Sequence, residues 1–179
     1  AHRRLANAIE VRNPDAADEN AALIATHLEA AGDLLQGCRW HLRAADWLRS
    51  RDLLAARAQW QSALRVADEL PGDHGEVIAL RIAPRTMLVS TELFAGSDPN
   101  NEQRFRELRE LTSQVGDRRS LAIAMAGRIM TFSVNARRTL EVAPLAAELE
   151  HLVDELHTAP TEELEILLTA VIVAHIGCW

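Results

Sequence analysis

Cys38 and His41 stand three positions apart, a spacing that sets a thiolate and an imidazole on one helix face as metal ligands, and His175 and Cys178 repeat it near the end of the chain. A structural zinc site takes four such ligands, and no CxxC or HxxxH accompanies either pair. No metal and no other cofactor is therefore expected, and Cys38 reads as a small core residue. Two cysteines 140 positions apart suit a reducing cytosol better than a disulfide scaffold. His27, beside Leu28 on an apolar segment, fits a hydrogen-bonded interface histidine rather than a catalytic one. Trp40 and Trp47, seven apart, share a helix face, and with Trp60 they suggest aromatic packing between helices rather than a ligand-stacking platform. Asp154-Glu155 and Glu162-Glu163 are adjacent pairs, splayed about 100° apart on a helix, which suits solvent better than a catalytic carboxylate pair.

Composition excludes more. Of the 179 residues, 30 are Ala, 25 Leu, 19 Arg and 16 Glu, half the chain in strong helix formers, and there is no Lys and no Tyr. A P-loop needs its lysine on the phosphates, a kinase its strand lysine and a Schiff-base enzyme its amine, so none of those chemistries is complete here. No GxSxG, HExxH, GxGxxG or EF-hand loop is present, and no enzyme activity is expected of these residues. The net charge of -7 is confined to residues 140–179, which hold eight acids and no Arg. The most basic stretch, 34–65, sets Arg39, Arg43, Arg49, Arg51, Arg57 and Arg65 against Asp46 and Asp52. A balance of +4 reads as a solvated helix face rather than a nucleic-acid surface. The longest apolar stretch, Ile166 to Ile176, is about half of the roughly 20 residues that span a bilayer, so no membrane partner is expected.

Breakers divide the chain into about nine helices. The spacing predicts them at 2–11, from Asp15 or Asp18 to Gly32, and at 34–49, 53–70, 76–94, 102–115, 118–134, 139–156 and 161–176, with Pro84 as a kink or break in the fifth. If Asp18 opens a 34-residue tetratricopeptide unit, Ala25, Gly37 and Ala44 fall on its small crossing positions, and Leu28 and Gly32 fit as well. A weaker echo recurs 19 residues on: Asp33-Leu34-Leu35 with Ala44 becomes Asp52-Leu53-Leu54 with Ala63. Projected 34 residues onward the unit fails, because Gln59 and Ser62 land on core positions. The fold class expected is all-α, a degenerate tetratricopeptide-like αα-hairpin array. Its last helix is apolar nearly all round, which asks for burial on more than one side.

The order of phrases carries a family resemblance. His2-Arg3-Arg4-Leu5-Ala6, then Thr26-His27-Leu28-Glu29-Ala30-Ala31-Gly32-Asp33, look like the junction at which the ATPase module of signal-transduction ATPases gives way to helical repeats. Trp40-His41-Leu42-Arg43-Ala44-Ala45-Asp46-Trp47, Ala67-Asp68-Glu69-Leu70-Pro71, Arg81-Ile82-Ala83-Pro84-Arg85-Thr86 and Phe105-Arg106-Glu107-Leu108-Arg109 are more specific. Over residues 2–130 the chain resembles the helical region of large actinobacterial regulators. These join a nucleotide cyclase-like domain, a P-loop ATPase, tetratricopeptide-like repeats and often a LuxR-type helix-turn-helix. The resemblance implies a sensor and scaffold role, with the cyclase aspartates and Walker lysine belonging to other domains and no catalytic residue to carry over.

The reading is a non-catalytic, cytoplasmic scaffold for protein-protein or inducer recognition within a multidomain signalling ATPase or transcriptional regulator. Residues 1–12 are expected to end an ATPase-associated module, and 13–179 to form the repeat domain, truncated at its C-terminus. With Ala first and no secretory leader pattern, the chain reads as a piece of a longer protein. Glu19, Ala22, Thr26 and Glu29 would face the groove of the unit, a mildly acidic lining for a basic or polar ligand. The partners expected are a protein, other domains of the same chain or a small inducer, with no direct nucleic acid. The alternative is an autonomous homo-oligomerisation module, a homodimer through Ile166, Val173 and Ile176.

Overall fold

In a computed structural model, residues 1–12, 16–96, 98–134 and 139–156 are described, and every regular element among them is helical. The eight α-helices are α1 (His2–Arg12), α2 (Ala21–Ala30), α3 (Leu34–Leu48), α4 (Leu53–Glu69), α5 (Gly75–Ser90), α6 (Asn101–Val115), α7 (Arg118–Ser133) and α8 (Val142–Glu155). The expected helix at 161–176, with Ile166, Val173 and Ile176, lies outside the described residues, as do His175, Cys178 and Glu162-Glu163. No described helix is long and apolar enough to cross a membrane.

Three boundaries differ from the expectation, each for a local reason. Helix α2 starts at Ala21, because residues 17–20 form a turn in which the Asn20 carboxamide donates to Ala16 O (2.9 Å) and the Asp18 carboxylate pairs with Arg43 instead of capping. Helix α5 runs on through Pro84, held by buried Ile82, Leu88 and Val89. It stops at Ser90, where the Ser90 and Thr91 hydroxyls donate to Met87 O at 3.2 and 2.6 Å and compete for that carbonyl. The segment from Thr139 begins as a 3-10 turn (Thr139–Glu141), and α8 starts only at Val142. That start places Pro144 in the first turn, where no N–H is needed.

Caps hold the other ends. Gly32 takes φ +76° past the end of α2, and Gly32 N–H and Asp33 N–H donate to Glu29 O (2.8 Å) and Leu28 O (2.9 Å), closing the last turn and reversing the chain into α3. Asp52 accepts from Ala55 N–H and Asp117 from Ser120 N–H, both at 3.0 Å, fixing the starts of α4 and α7.

The contacts of the chain separate into two units, Ala1–Arg85 and Thr86–Trp179, dividing within α5 just past Pro84. In the first unit, α1 packs on α2, α2 on α3 and α3 on α4. One apolar cluster joins Ala6, Ala17, Ile24, Ala25, Leu28 and Trp40, so α1 shares its core with α2 and α3. A second joins Cys38, Ala63, Val66, Ala67, Leu70 and Val77 across α3, α4 and α5. Small residues set the crossings: Ala25, Ala44 and Ala63 are buried, and a Cβ on Gly37 would lie 3.0 Å from Glu29 Cγ and 3.4 Å from Glu29 N.

In the second unit, α7 packs against α6 and α8, with Met125, Ile129 and Phe132 of α7, Leu108 of α6 and Leu149 of α8 fully buried. The Arg128 guanidinium lies over the Phe105 and Phe132 rings (4.3 and 4.7 Å) and donates to Glu102 (2.7 Å), while its Nε has no hydrogen-bond partner among the described residues. Gly127 lies close against Ser90, where a Cβ would fall 2.3 Å from both Ser90 Cα and Ser90 O. Gly127→Ala is therefore expected to lower unfolding free energy by about 3 kcal/mol, the order of an overpacked core. Gly75→Ala, at an open helix start, is expected to stay within about 0.5 kcal/mol of the parent. Urea titrations of both variants check the pair.

Candidate functional site

Helices α1 to α4 each pack mainly on their neighbours in sequence, so alternate helices among them face each other across grooves. The two grooves differ: α2 and α4 are bridged by a polar network over α3, whereas α1 and α3 leave a cavity over α2.

The bridge is built on Glu29. One carboxylate oxygen is hydrogen-bonded to His41 Nε2, and the other accepts from Arg65 Nη2 at 2.6 Å. His41 Nδ1 lies 2.7 Å from Gln59 Oε1. A carboxylate can only accept, so Nε2 carries the proton toward Glu29. His41 is buried and Glu29 is largely so, with side-chain exposures of 6% and 19%. Burial opposes the Glu29 charge, but the hydrogen bonds from Arg65 and His41 outweigh it and hold the carboxyl below its ordinary range. The hydrogen bond to Glu29 raises Arg65 correspondingly.

This network explains two features of the sequence. Gln59, which breaks the 34-residue projection, is the polar partner that His41 requires inside the helix stack. Gly37 is small because the Glu29 stem passes over it. Of the expected groove residues, Glu29 is drawn between the helices, while Thr26 is exposed with its hydroxyl donating to Ala22 O (2.9 Å) and Glu19 is exposed in the turn before α2.

Cys38 and His41 do not converge as ligands: the thiol points to Ala63 O (3.5 Å) and the imidazole to Glu29 and Gln59. Among the described residues no group of three or more His, Cys, Asp or Glu could hold a metal ion. Burial, with Glu29 nearby, pushes the Cys38 thiol up to about 12. His27 meets His2 across α1 and α2, with their Nδ1 atoms 3.2 Å apart. Much of the arginine-rich stretch is paired internally: Arg39 with Glu76, Arg43 with Asp18, Arg65 with Glu29, and Arg51 over the Trp47 ring at 4.5 Å.

The cavity between α1 and α3 measures about 220 Å³. Arg3, Asn7 and Glu10 line it from one face of α1, at helical spacing, and Gln36 and Trp40 from α3. Ile24 and Leu28 of α2, both buried, supply apolar floor. Asp33, also on the lining, accepts from Arg3 at 2.9 Å. The i, i+4, i+7 polar stripe on α1 is visible in the sequence, but the groove it faces depends on how α1 and α3 lie against α2.

Glu29→Gln is expected to cost about 2 kcal/mol at pH 7, as removal of one charge from a hydrogen-bonded buried pair does. The folded-state pKa of Glu29 is depressed, so its contribution is full above the ordinary value of 4.5 and fades as pH falls through the folded value. The difference between parent and Glu29→Gln should therefore close in acid, as stability curves at descending pH would register. Iodoacetamide at pH 8 is expected to leave the Cys38 peptide unmodified in the native protein and alkylate it in guanidinium, by peptide mass mapping. No family model, no curated protein and no solved structure matches the chain.

Proposed function

We propose that this chain is a non-catalytic recognition scaffold. It is a degenerate tetratricopeptide-like array that binds a partner protein, another domain of its parent or a small inducer, within a multidomain cytosolic signalling ATPase or transcriptional regulator. The observation that carries the reading is the run of helices α1 to α4, each packed on the next, with small residues where α2, α3 and α4 cross and open surface along α2. Such stacks present side chains from successive helices on continuous faces, which suits binding of extended partners or compact ligands. The family resemblance supplies the setting.

Recognition is assigned to the exposed end of α2, with Glu19 and Thr26 as contact residues. Glu29 supports that surface from within through His41 and Arg65 rather than by touching a ligand.

Glu19→Arg combined with Thr26→Arg is expected to weaken binding of the parent's adjoining ATPase module about tenfold or more, measured by surface plasmon resonance, while leaving the melting temperature unchanged. Unchanged affinity would remove the α2 surface from the reading. A parent gene encoding neither a P-loop nor a helix-turn-helix would remove the regulator.

A further inference from the structure

We propose that the cavity between α1 and α3 is a binding site for a compact primary amine, an ammonium group carried on a small apolar body. The proposal deepens the recognition reading by naming a ligand class and rests on it for its biological sense, but it uses a different surface from Glu19 and Thr26.

Size limits the ligand first. At the packing density of protein interiors, about 220 Å³ accommodates roughly 160 Å³ of atoms, or about ten heavy atoms with their hydrogens. Pockets for drug-sized molecules start at about 300 Å³, so the part of a ligand held between the helices is smaller than a drug-sized molecule.

The walls divide into an apolar interior and a polar mouth. Ile24 and Leu28 are buried at 1% and 5% exposure, and Trp40 at 8%, giving the ligand body an aliphatic floor and an indole wall. Arg43, which covers the Trp40 ring at 4.6 Å, does not line the cavity.

Charge at the mouth selects the head group. Arg3 is occupied by Asp33, whereas Glu10 makes no ion pair among the described residues, so the mouth carries one net negative charge. Asn7 and Gln36 line the same cavity with carboxamides, and neither side chain makes a hydrogen bond among the described residues. A primary ammonium has three N–H donors and no acceptor, which matches one carboxylate and two carboxamide oxygens. A carboxylate ligand would have to displace Asp33 from Arg3 and then face Glu10. The chain itself has no lysine, so none of its side chains offers an ammonium to fill the site.

Calorimetric titration of the whole chain at low salt tests the proposal with four probes that fit the size limit. The amine 2-phenylethylamine is expected to bind saturably at one site, with the neutral 2-phenylethanol and the anionic phenylacetate at least about tenfold weaker. Leucine, of the same size as the amine, separates two sources of the ammonium: affinity equal to the amine assigns the site to zwitterionic amino acids, and weaker affinity assigns it to free amines. Glu10→Gln, at an exposed position, is expected to erase the preference for amine over alcohol. Asn7→Phe, which plugs the mouth from outside the core, is expected to abolish binding of every probe, with helicity and melting temperature kept as checks on folding. Absence of saturable amine binding at millimolar concentration, equal binding of the alcohol, or an amine preference that survives Glu10→Gln overturns the proposal. Saturable amine binding together with a partner affinity that Glu19→Arg, Thr26→Arg leaves unchanged keeps the cavity standing while the α2 surface falls.

Discussion

Close approach of helix backbones is the constraint from which the rest of the structure follows. Where α2 and α3 cross, Gly37 leaves only a tight fit for a Cβ beneath the Glu29 stem, and in the second unit Gly127 lies against the backbone of Ser90. Alanines at 25, 44 and 63 serve the same end. Larger and polar side chains cannot enter such crossings, so they gather in the grooves between alternate helices, where they must either satisfy one another or leave space. The bridge of Glu29, His41, Gln59 and Arg65 is one outcome, and the cavity lined by α1 and α3 is the other.

The exclusive use of arginine among the basic side chains suits that arrangement. A guanidinium is flat and offers five donors, so it can lie on a ring and still reach a carboxylate. Arg43 does both with Trp40 and Asp18, Arg109 with Phe105 and Glu148, and Arg128 with Phe105, Phe132 and Glu102. An ammonium in these places could answer the carboxylate but would lose the flat stacking surface. Arg39, Arg43 and Arg65 of the basic stretch 34–65 are thus matched by carboxylates of the same chain at its surface, a distinction that counting charges could not make.

Elements and their small contact positions were legible because they depend on short-range rules. Glycine and proline marked most helix ends within a few residues, and the spacing of Ala25, Gly37 and Ala44 anticipated a tight crossing. The echo between Asp33 and Asp52 was half informative: both precede a helix, yet only Asp52 caps one, since Asp33 is taken by Arg3. What the spacing could not show was which polar residue meets which. Glu29 looked like a groove residue by register, but the partners that draw it inward, 12 and 36 positions along the chain, become neighbours only after three helices have packed. Gln59 looked like a fault in the repeat for the same reason.

The nearest-neighbour packing of α1 also bears on motion. Among the described elements α1 leans chiefly on α2, and Ala6 is its one buried residue, so lifting it uncovers little apolar surface. Free energies of local opening scale with what is uncovered, and the amide protons of α1 would accordingly exchange with solvent well before those of α3 or α4. Because α1 forms one wall of the cavity, the same small excursion opens a path to Ile24 and Leu28 without disturbing the Glu29 bridge. A ligand settled against α1 would in turn slow that exchange.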